Sequence, residues 1–227
     1  MTLNTQIRQT INMFRETLPE EITTLIERGA GEISALEIVE KALKEGDKIQ
    51  EFSLNDHKGI QKSLSGYLVE GPLVLTFYRG LWCPYCNLQL AAYCKVLDQI
   101  KGLGANLVAV SAEGPEGGAV VAESNMPEEA KDFAVSDPGF DVLYDKGNLL
   151  AEKFGLAFEL PESHKQVLVA MGIDVERANG DKSYVFADPA TYIIGTDGII
   201  KWAYVPNNYR KRAEPDTILL QLRALAQ

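Results

Sequence analysis

The chain has 227 residues, of which 46% are hydrophobic and 24% charged, the composition of a soluble globular protein. Its formal net charge of -10 argues against nucleic acid or an anionic membrane surface as the main partner, because both attract basic surfaces. No apolar run approaches the roughly 20 residues that span a bilayer, and the N-terminus lacks the apolar region of a secretory signal. We therefore expect a cytoplasmic protein.

The first 45 residues have the periodicity of helices. Apolar residues recur every three or four positions, at Leu3, Ile7, Ile11 and Phe14. Pro19 starts a second predicted helix, and a third is predicted from 33 to 43, ending at Gly46. No residue of a catalytic type stands out, so we predict a helical N-terminal extension over 1–45 that serves packing or dimerisation.

Residues 46–227 alternate between strand and helix patterns. Strands are predicted at 52–54, 73–78, 105–111 and 140–143, with a hairpin at 189–204 turned at Thr196-Asp197-Gly198. Helices are predicted near 83–101, 148–154, 162–171 and 215–224, and a polar loop at 173–183. The strand, helix and strand between 73 and 111 form a βαβ unit, which predicts an α/β domain over 46–227.

A Cys-x-x-Cys motif follows the strand at 73–78, where Cys83 begins a predicted helix. A helix N-terminus stabilises an anion and therefore lowers the pKa of a thiol there. Cys86 is one turn further on, so the two Cα atoms lie about 5 Å apart, within the range that a disulfide tolerates. Pro84 suits the first helical turn. The spacing predicts a nucleophilic thiol, Cys83, and a partner, Cys86.

The alternatives are a zinc site and two inert core cysteines. Zinc needs about four ligands, and the sequence has no second Cys-x-x-Cys or His-x-x-x-His. The two histidines, His57 and His164, are isolated and are expected on the surface or in loops. Cys94 lies too far along the predicted helix for exchange with either cysteine, and we expect a buried core thiol there. Thiol-disulfide chemistry is favoured.

Three segments resemble the peroxiredoxin (alkyl hydroperoxide reductase and thiol-specific antioxidant) family. They are Gly46–Gly59 with Phe52-Ser53-Leu54 and Asp56, Pro72–Tyr78 before the cysteine, and Thr191–Lys201 with Asp197-Gly198. The resemblance covers about 46–205 and implies a thioredoxin-like fold, with a central mixed β-sheet flanked by helices. It also implies that a peroxidatic thiolate at Cys83 attacks a hydroperoxide, giving a sulfenic acid and then a disulfide.

The sequence departs from that family at three places. Thr76 and Gly80 occupy the positions of the family's Pro and Thr/Ser, so the hydroxyl that would hold peroxide beside Cys83 is missing. The later arginine that activates the thiolate aligns with Pro189, which resembles the cis-proline of thioredoxin-like reductases. Trp82-Cys83 resembles thioredoxin and Cys83-Pro-Tyr-Cys86 resembles glutaredoxin. The chain thus combines a peroxiredoxin-like domain with an active-site loop that resembles that of a thiol-disulfide oxidoreductase.

Other residues near the cysteines are candidates for the site. We expect Pro189 to form a cis bond and pack on the thiols, rather than simply to begin a strand. Arg79 is either the partner of thiolate and peroxide, in place of the missing arginine, or a solvated loop residue. Trp82, Pro84 and Tyr85 are expected to contact substrate or partner. The basic run Tyr209–Arg212 is most simply a solvated loop or interface, the alternative being a docking site for an acidic reductant.

The resulting hypothesis is a thiol-dependent peroxidase with Cys83, Cys86 and Arg79 as catalytic residues. A thioredoxin-, glutaredoxin- or glutathione-type reductant would recycle it, and no metal, flavin or haem is implied. Two alternatives use the same site, namely a protein disulfide reductase and a non-catalytic redox sensor. A homodimer is plausible from the helical extension and the family.

Overall fold

The computed structural model describes residues 1–135, 137–206 and 208–225. Its strands are β1 (Ser53–Asn55), β2 (Gln61–Ser63), β3 (Leu73–Phe77), β4 (Asn106–Ser111), β5 (Asp141–Tyr144), β6 (Ala157–Glu159), β7 (Val185–Ala187), β8 (Ala190–Ile194) and β9 (Ile200–Tyr204). Its helices are α1 (Leu3–Thr17), α2 (Glu20–Ser34), α3 (Ile38–Lys41), α4 (Leu64–Glu70), α5 (Pro84–Cys94), α6 (Leu97–Gly102), α7 (Gly117–Glu123), α8 (Glu128–Lys131), α9 (Leu149–Lys153), α10 (Glu162–Ala170), α11 (Val175–Asn179) and α12 (Pro215–Leu225). A 3-10 turn covers Lys146–Asn148.

The central sheet has five strands in the order β5-β4-β3-β8-β9. Strand β3 lies in the middle, parallel to β4 and antiparallel to β8. Every residue of β3 and of β8 is buried, which explains the nearly continuous apolar runs of these segments. The sheet is therefore mixed, as predicted for a thioredoxin-like fold, and the cysteine motif leaves the end of its central strand.

The residues that end β3 determine where the motif lies. Phe77 pairs with Val110 of β4 and with Ala190 of β8, so both neighbouring strands extend to the same level. Tyr78 continues the pairing by donating its N–H to the Val110 carbonyl at 3.0 Å. Because β3 has partners on both sides, the turn that follows Tyr78 begins from a fixed point. This fixed start positions Cys83 at the beginning of α5.

Helices α1 and α2 pack against the rest of the chain as the apolar periodicity predicts. Leu3, Ile7 and Phe14 are the buried apolar residues of α1, and the Phe14 and Tyr85 rings are 6.4 Å apart. Helix α2 packs on α10 so closely that a Cβ on Gly29 would lie 1.7 Å from Nδ1 of His164. A glycine is therefore required at this crossing.

Several predicted boundaries were wrong. The helix predicted at 83–101 divides into α5 and α6, because Val96 leaves helical geometry at φ -112°, ψ 5°. The third N-terminal helix has only four residues, and the loop predicted at 173–183 contains α11. Strands β2, β6 and β7 were missed, since each has three residues and is defined by pairing rather than by a local pattern. Among the described residues, no helix combines the length and apolarity needed to cross a membrane.

Candidate active site

Cys83 is the N-cap residue of α5, and Pro84 occupies the first helical position as predicted. The turn from Tyr78 closes when the Cys83 N–H donates to the Gly80 carbonyl at 3.1 Å. The first helical turn then brings the N–H of Cys86 to the Cys83 carbonyl at 3.0 Å. Both side chains consequently point to the same side of the helix start.

The two sulfur atoms of the motif are close together and inaccessible to solvent. Cys86 donates its thiol hydrogen to Cys83 Sγ, and the sulfur atoms are 2.8 Å apart. Both residues are free thiols with 0% exposure. A disulfide between them needs a further approach of less than 1 Å, because a covalent S–S bond is about 2.05 Å long.

Arg79 is a buried partner of Cys83. Its Nη2 donates to Cys83 Sγ at 3.3 Å, and the residue is 3% exposed. Its guanidinium group lies between two aromatic rings, 4.1 Å from the centre of Tyr209 and 5.0 Å from that of Trp82. The alternative of a solvated loop arginine is therefore wrong. Its Nε and Nη1 have no hydrogen-bond partner among the described residues.

These contacts give the two thiols different proton affinities. Burial by itself raises the pKa of Cys83, but the hydrogen bond from Cys86 and the charges of Arg79 and Arg212 outweigh it. The pKa of Cys83 therefore lies well below its ordinary value. Burial raises the pKa of Cys86, and so do the hydrogen bond to Cys83 and its negative charge. The resting pair is a thiolate at Cys83 and a thiol at Cys86.

The basic run Tyr209–Arg212 was predicted to be a solvated loop or docking surface, and this is wrong for its two ends. Tyr209 and Arg212 are each 2% exposed, whereas Lys211 is exposed. Arg212 Nη2 donates to Cys86 Sγ at 3.2 Å. The segment turns inward because the Arg212 guanidinium also donates to the carbonyls of Tyr209 and Lys211. Each thiol of the motif thus has its own arginine.

His164 was expected on the surface, and this expectation is also wrong. It is 5% exposed, and its Nε2 lies 3.0 Å from the Tyr209 hydroxyl. Burial, together with the charges of Arg79 and Arg210, lowers the pKa of His164 to about 3, so its ring is neutral. The other histidine, His57, is exposed as expected.

Two further expectations about the site fail in part. The bond before Pro189 is trans, the form that an X–Pro bond prefers unless its surroundings force the other. Pro189 is buried and directly precedes β8, so it begins a strand. Cys94 is half-buried rather than fully buried, because it lies at the end of α5, where its Sγ donates to the Pro138 carbonyl at 3.2 Å.

A cavity of about 80 Å³ opens beside Cys83. It is bounded by the predicted residues Arg79, Trp82, Pro84 and Tyr85, by His164 and Tyr209, by Met126, Pro127, Val167, Leu168, Met171 and Ile173, and by Phe14, Leu18 and Ile26. The last three residues come from the N-terminal segment, residues 1–45, which was predicted to serve packing or dimerisation. This segment also forms one wall of a mostly apolar pocket at Cys83.

Trp82 and Tyr85 are buried covers of the motif. The Trp82 ring packs edge-on against Phe186, with ring centres 5.2 Å apart. Tyr85 is 5% exposed and lies near the ring of Tyr209, with centres 6.3 Å apart. Both side chains therefore shield the thiols from solvent, and their expected contact with substrate or partner stays a prediction.

Gly80 occupies the position of the family's Thr/Ser, but the backbone there does not accommodate a side chain that bears a hydroxyl. Its φ is +146°, a conformation that favours glycine, and a Cβ would lie 2.5 Å from the indole Nε1 of Trp82. The same Cβ would lie 3.0 Å from Oε1 of Glu113. The hydroxyl is therefore excluded by packing as well as by sequence.

Two buried carboxyl groups, those of Glu113 and Asp188, were not predicted from the sequence. Glu113 follows β4, and its Oε2 accepts the Leu81 N–H at 2.8 Å. Burial raises the pKa of Glu113 to about 8 and that of Asp188 to about 7. The position of Glu113 after a strand next to β3 was a usable signal, because ligand sites lie at the carboxyl ends of parallel strands. Arg212 was marked only as part of the basic run Tyr209–Arg212, and no local signal marked Asp188.

Comparison with known proteins agrees with this architecture. Peroxiredoxin Bcp of Escherichia coli K12 is 28% identical over 114 residues, which are 50% of this chain and 65% of the relative. The crystal structure of peroxidoxin BcpB from Mycobacterium tuberculosis superposes with a TM-score of 0.59 and 22% identity, covering 81% of this chain and 98% of that one. A reduced 2-Cys peroxiredoxin of Plasmodium vivax gives a TM-score of 0.60 at 16% identity, covering 81% and 82%.

The family model that matches this chain is that of the AhpC/TSA family, over residues 45–203. The match includes the cysteine motif, the central strand and the β8–β9 hairpin. It ends before the segment that carries Tyr209 and Arg212. The chain therefore belongs to the AhpC/TSA family, a peroxiredoxin-like family with the thioredoxin-like fold.

Proposed function

We propose that this thiol-dependent peroxidase uses Cys83 as its peroxidatic thiol and Cys86 as its resolving thiol. The observation that carries the proposal is the contact of Arg79 Nη2 with Cys83 Sγ, at 3.3 Å, at the end of a pocket. A buried cation beside a buried thiol favours the thiolate, which is the nucleophile. Membership of the AhpC/TSA family supplies the reaction class.

The first step transfers one oxygen atom to sulfur. The Cys83 thiolate attacks the outer oxygen of a hydroperoxide, so an S–O bond forms and the O–O bond breaks. Sulfur is oxidised to the sulfenic acid level, and the leaving alkoxide or hydroxide takes up a proton as an alcohol or water. Cys86 then attacks the Cys83 sulfur, which gives a disulfide and releases water.

Arg79 supports the reaction where the family's hydroxyl is missing. Its Nε and Nη1 are buried donors without a partner among the described residues. A buried donor left unpaired is costly, so these N–H groups would gain by binding the oxygen atoms of a peroxide. In this proposal Arg79 activates the thiolate with one N–H and orients the hydroperoxide with others.

We further propose the context in which the enzyme works. A thioredoxin- or glutaredoxin-type dithiol, or glutathione, reduces the disulfide in the cytoplasm, where thiols are kept reduced. Neither sulfur is exposed, so a protein reductant reaches the disulfide only after the segment around Cys83 moves. Residues 1–45 form an extension on a thioredoxin-like domain at 46–227, and two chains form a homodimer.

A protein disulfide reductase is the second candidate. The Cys-Pro-Tyr-Cys motif and the glycine at position 80 favour it. The complete burial of both sulfur atoms favours the peroxidase, because a hydroperoxide needs only the pocket beside Cys83, whereas a folded protein's disulfide reaches the thiolate only after the segment around Cys83 moves. A redox sensor that opens and closes the same disulfide is the third candidate.

The decisive experiment measures hydroperoxide consumption with thioredoxin as reductant, beside insulin reduction by the same preparation. Cys83→Ser is expected to abolish peroxide consumption, and Cys86→Ser to leave a sulfenic acid at Cys83 that dimedone traps. Cys94→Ser is the matched control and should retain activity. Insulin reduction without peroxide consumption would support the disulfide reductase. If both activities are absent, redox-dependent binding of a partner would indicate the sensor.

A further inference from the structure

A second arginine lies on the resolving cysteine. Arg212 Nη2 is 3.2 Å from Cys86 Sγ, while Arg79 Nη2 is 3.3 Å from Cys83 Sγ. The sulfur atoms, 2.8 Å apart, thus lie between two buried guanidinium groups. A buried cation at a neutral thiol is costly, and this cost is offset in any state of the reaction cycle in which the thiol is an anion.

Arg212 is held at this position by both ends of the chain. Its Nη1 donates to the carbonyls of Tyr209 and Lys211. Its backbone N–H donates to Asn4 Oδ1 at 3.0 Å, and its carbonyl accepts from Asn4 Nδ2 at 2.8 Å. Arg212 therefore reaches Cys86 from a segment that helix α1 fixes, outside the stretch that matches the family model.

We propose that Arg212 is a catalytic residue of the resolving step, which stabilises the Cys86 thiolate as it attacks the sulfenic acid of Cys83. The inference rests on the proposed function, since it requires a sulfenic acid at Cys83. In this step the S–S bond forms and the S–O bond of Cys83 breaks. The hydroxide that leaves accepts the proton that Cys86 has released, and the products are a disulfide and water. Cys86 is oxidised and Cys83 is reduced to the disulfide level, so electrons balance.

The charges around the pair explain the order of the two steps. In the resting state one negative charge, on Cys83, faces two arginines, and Cys86 keeps its proton because it donates to that thiolate. Oxidation of Cys83 to a neutral sulfenic acid removes both the charge and this strong acceptor. The two arginines remain, so the negative charge that they stabilise passes to Cys86. Resolution then follows peroxide reduction and does not precede it.

The other titratable groups around Cys83 and Cys86 leave the net charge at the two sulfur atoms positive. The hydroxyl of Tyr78 is held neutral, since burial raises its pKa well above the ordinary value. Asp188 is a buried acid that interacts with the charges of Arg212 and Arg79. Burial raises its pKa to about 7, although the two arginine charges oppose this rise. Even when ionised, Asp188 offsets only one of the two arginine charges, and Glu113, which also faces Cys83, keeps its proton at neutral pH because burial raises its pKa to about 8.

The test separates the two steps in one experiment. Wild type, Arg212→Met and Arg212→Lys are mixed with hydrogen peroxide without reductant and quenched at intervals with acid. Intact mass distinguishes the added oxygen of the sulfenic acid from the loss of two hydrogens in the disulfide. Lys211→Met is the matched control, because its side chain is exposed and adjacent in sequence.

Arg212→Met is expected to slow disulfide formation about 3- to 40-fold. Loss of an opposite charge at this distance raises a pKa by about 1 to 3 units, and the greater nucleophilicity of the more basic thiolate offsets about half of that change. The pH profile of the closing step should move upward by a similar interval. Arg212→Lys should recover part of the rate, and Lys211→Met should match wild type.

The failures of the two proposals are distinguishable. If Cys83 of wild type never gains oxygen, the proposed function is wrong. If wild type and Arg212→Met both form the sulfenic acid and close at the same rate and with the same pH profile, Arg212 has no role in resolution. If Arg212→Met does not fold, Arg212→Gln takes its place, because it also removes the charge. Slower closing with an upward-shifted pH profile in that variant supports the proposal, and closing at the wild-type rate with the wild-type profile contradicts it.

Discussion

The guanidinium carbon of Arg79 lies 4.1 Å from the centre of the Tyr209 ring. This places the face of a buried aromatic ring beneath the cation that contacts Cys83. The hydroxyl of the same residue lies 3.0 Å from His164 Nε2. A residue outside the family match thus contacts the arginine that lies on Cys83.

Tyr209→Leu is expected to raise the pKa of Cys83 and slow its oxidation, because Arg79 loses a cation–π contact worth about 0.5–2 kcal/mol. The absorbance of the thiolate as a function of pH measures the shift. Tyr209→Phe is the matched control, since it keeps the ring and removes only the hydroxyl. Equal Cys83 pKa values in the leucine and phenylalanine variants would show that the ring does not position Arg79.

Arg79→Met is expected to slow the reaction of Cys83 with hydrogen peroxide about 100-fold or more at neutral pH. The thiolate loses a charge partner, and the peroxide loses its donors. Rapid mixing with peroxide gives the rate, and the thiolate absorbance gives the pKa of Cys83. A rate loss that is fully recovered by raising the pH would leave thiolate activation as the only role and contradict peroxide binding by Arg79.

Gly80→Ser places a hydroxyl where the family has one, yet we expect no gain in activity. The backbone at φ +146° and the closeness of the Trp82 indole should make the variant less stable, by about 1–3 kcal/mol. Urea unfolding and peroxide consumption are the measurements. Gly118→Ala, in an exposed helical position with open space around it, should be neutral or slightly stabilising. A more active serine variant would mean that the turn can rearrange.

Glu113 makes stability depend on pH in a defined direction. Its pKa is raised from 4.5 to about 8 in the folded protein, so the folded state holds a proton that the unfolded chain releases. The resulting stabilisation is complete below about pH 4.5 and is lost as the pH rises to about 8.

Glu113→Gln should remove this dependence. The difference in free energy of unfolding between wild type and variant should change by about 1.4 kcal/mol per pH unit across that interval. Urea unfolding of the reduced proteins, at pH values about one unit apart between about 5 and 9, measures this change in the free energy of unfolding. The exposed Glu129→Gln serves as control and should follow wild type. Parallel curves for wild type and Glu113→Gln would contradict a protonated Glu113.

Asn4→Ala is expected to destabilise the protein by about 1–3 kcal/mol, although its position is on the first turn of α1. The change removes two bonds to the Arg212 backbone and one to Glu214. Asn12→Ala, an exposed substitution in the same helix, should have little effect. Thermal unfolding compares the two variants, and equal melting temperatures would show that the two chain ends are not coupled.

The fold was largely predictable because its signals are local. The apolar run at 73–78, the strand at 105–111 and the Asp197-Gly198 turn each follow from neighbouring residues, and they are found as β3, β4 and the β8–β9 hairpin. Strands β2, β6 and β7 were missed because three-residue strands exist only through their partners. The break at Val96 also has no local cause in the sequence.

By itself, the sequence determined that Cys83 caps a helix and that Cys86 follows one turn later, since helix geometry depends only on spacing. Only the tertiary structure decided which charges surround them. Arg212 is 126 residues from Cys86, and the pocket wall formed by Phe14 comes from the other end of the chain. Electrostatic and packing effects depend on distance in space, and no periodicity along the chain encodes that distance.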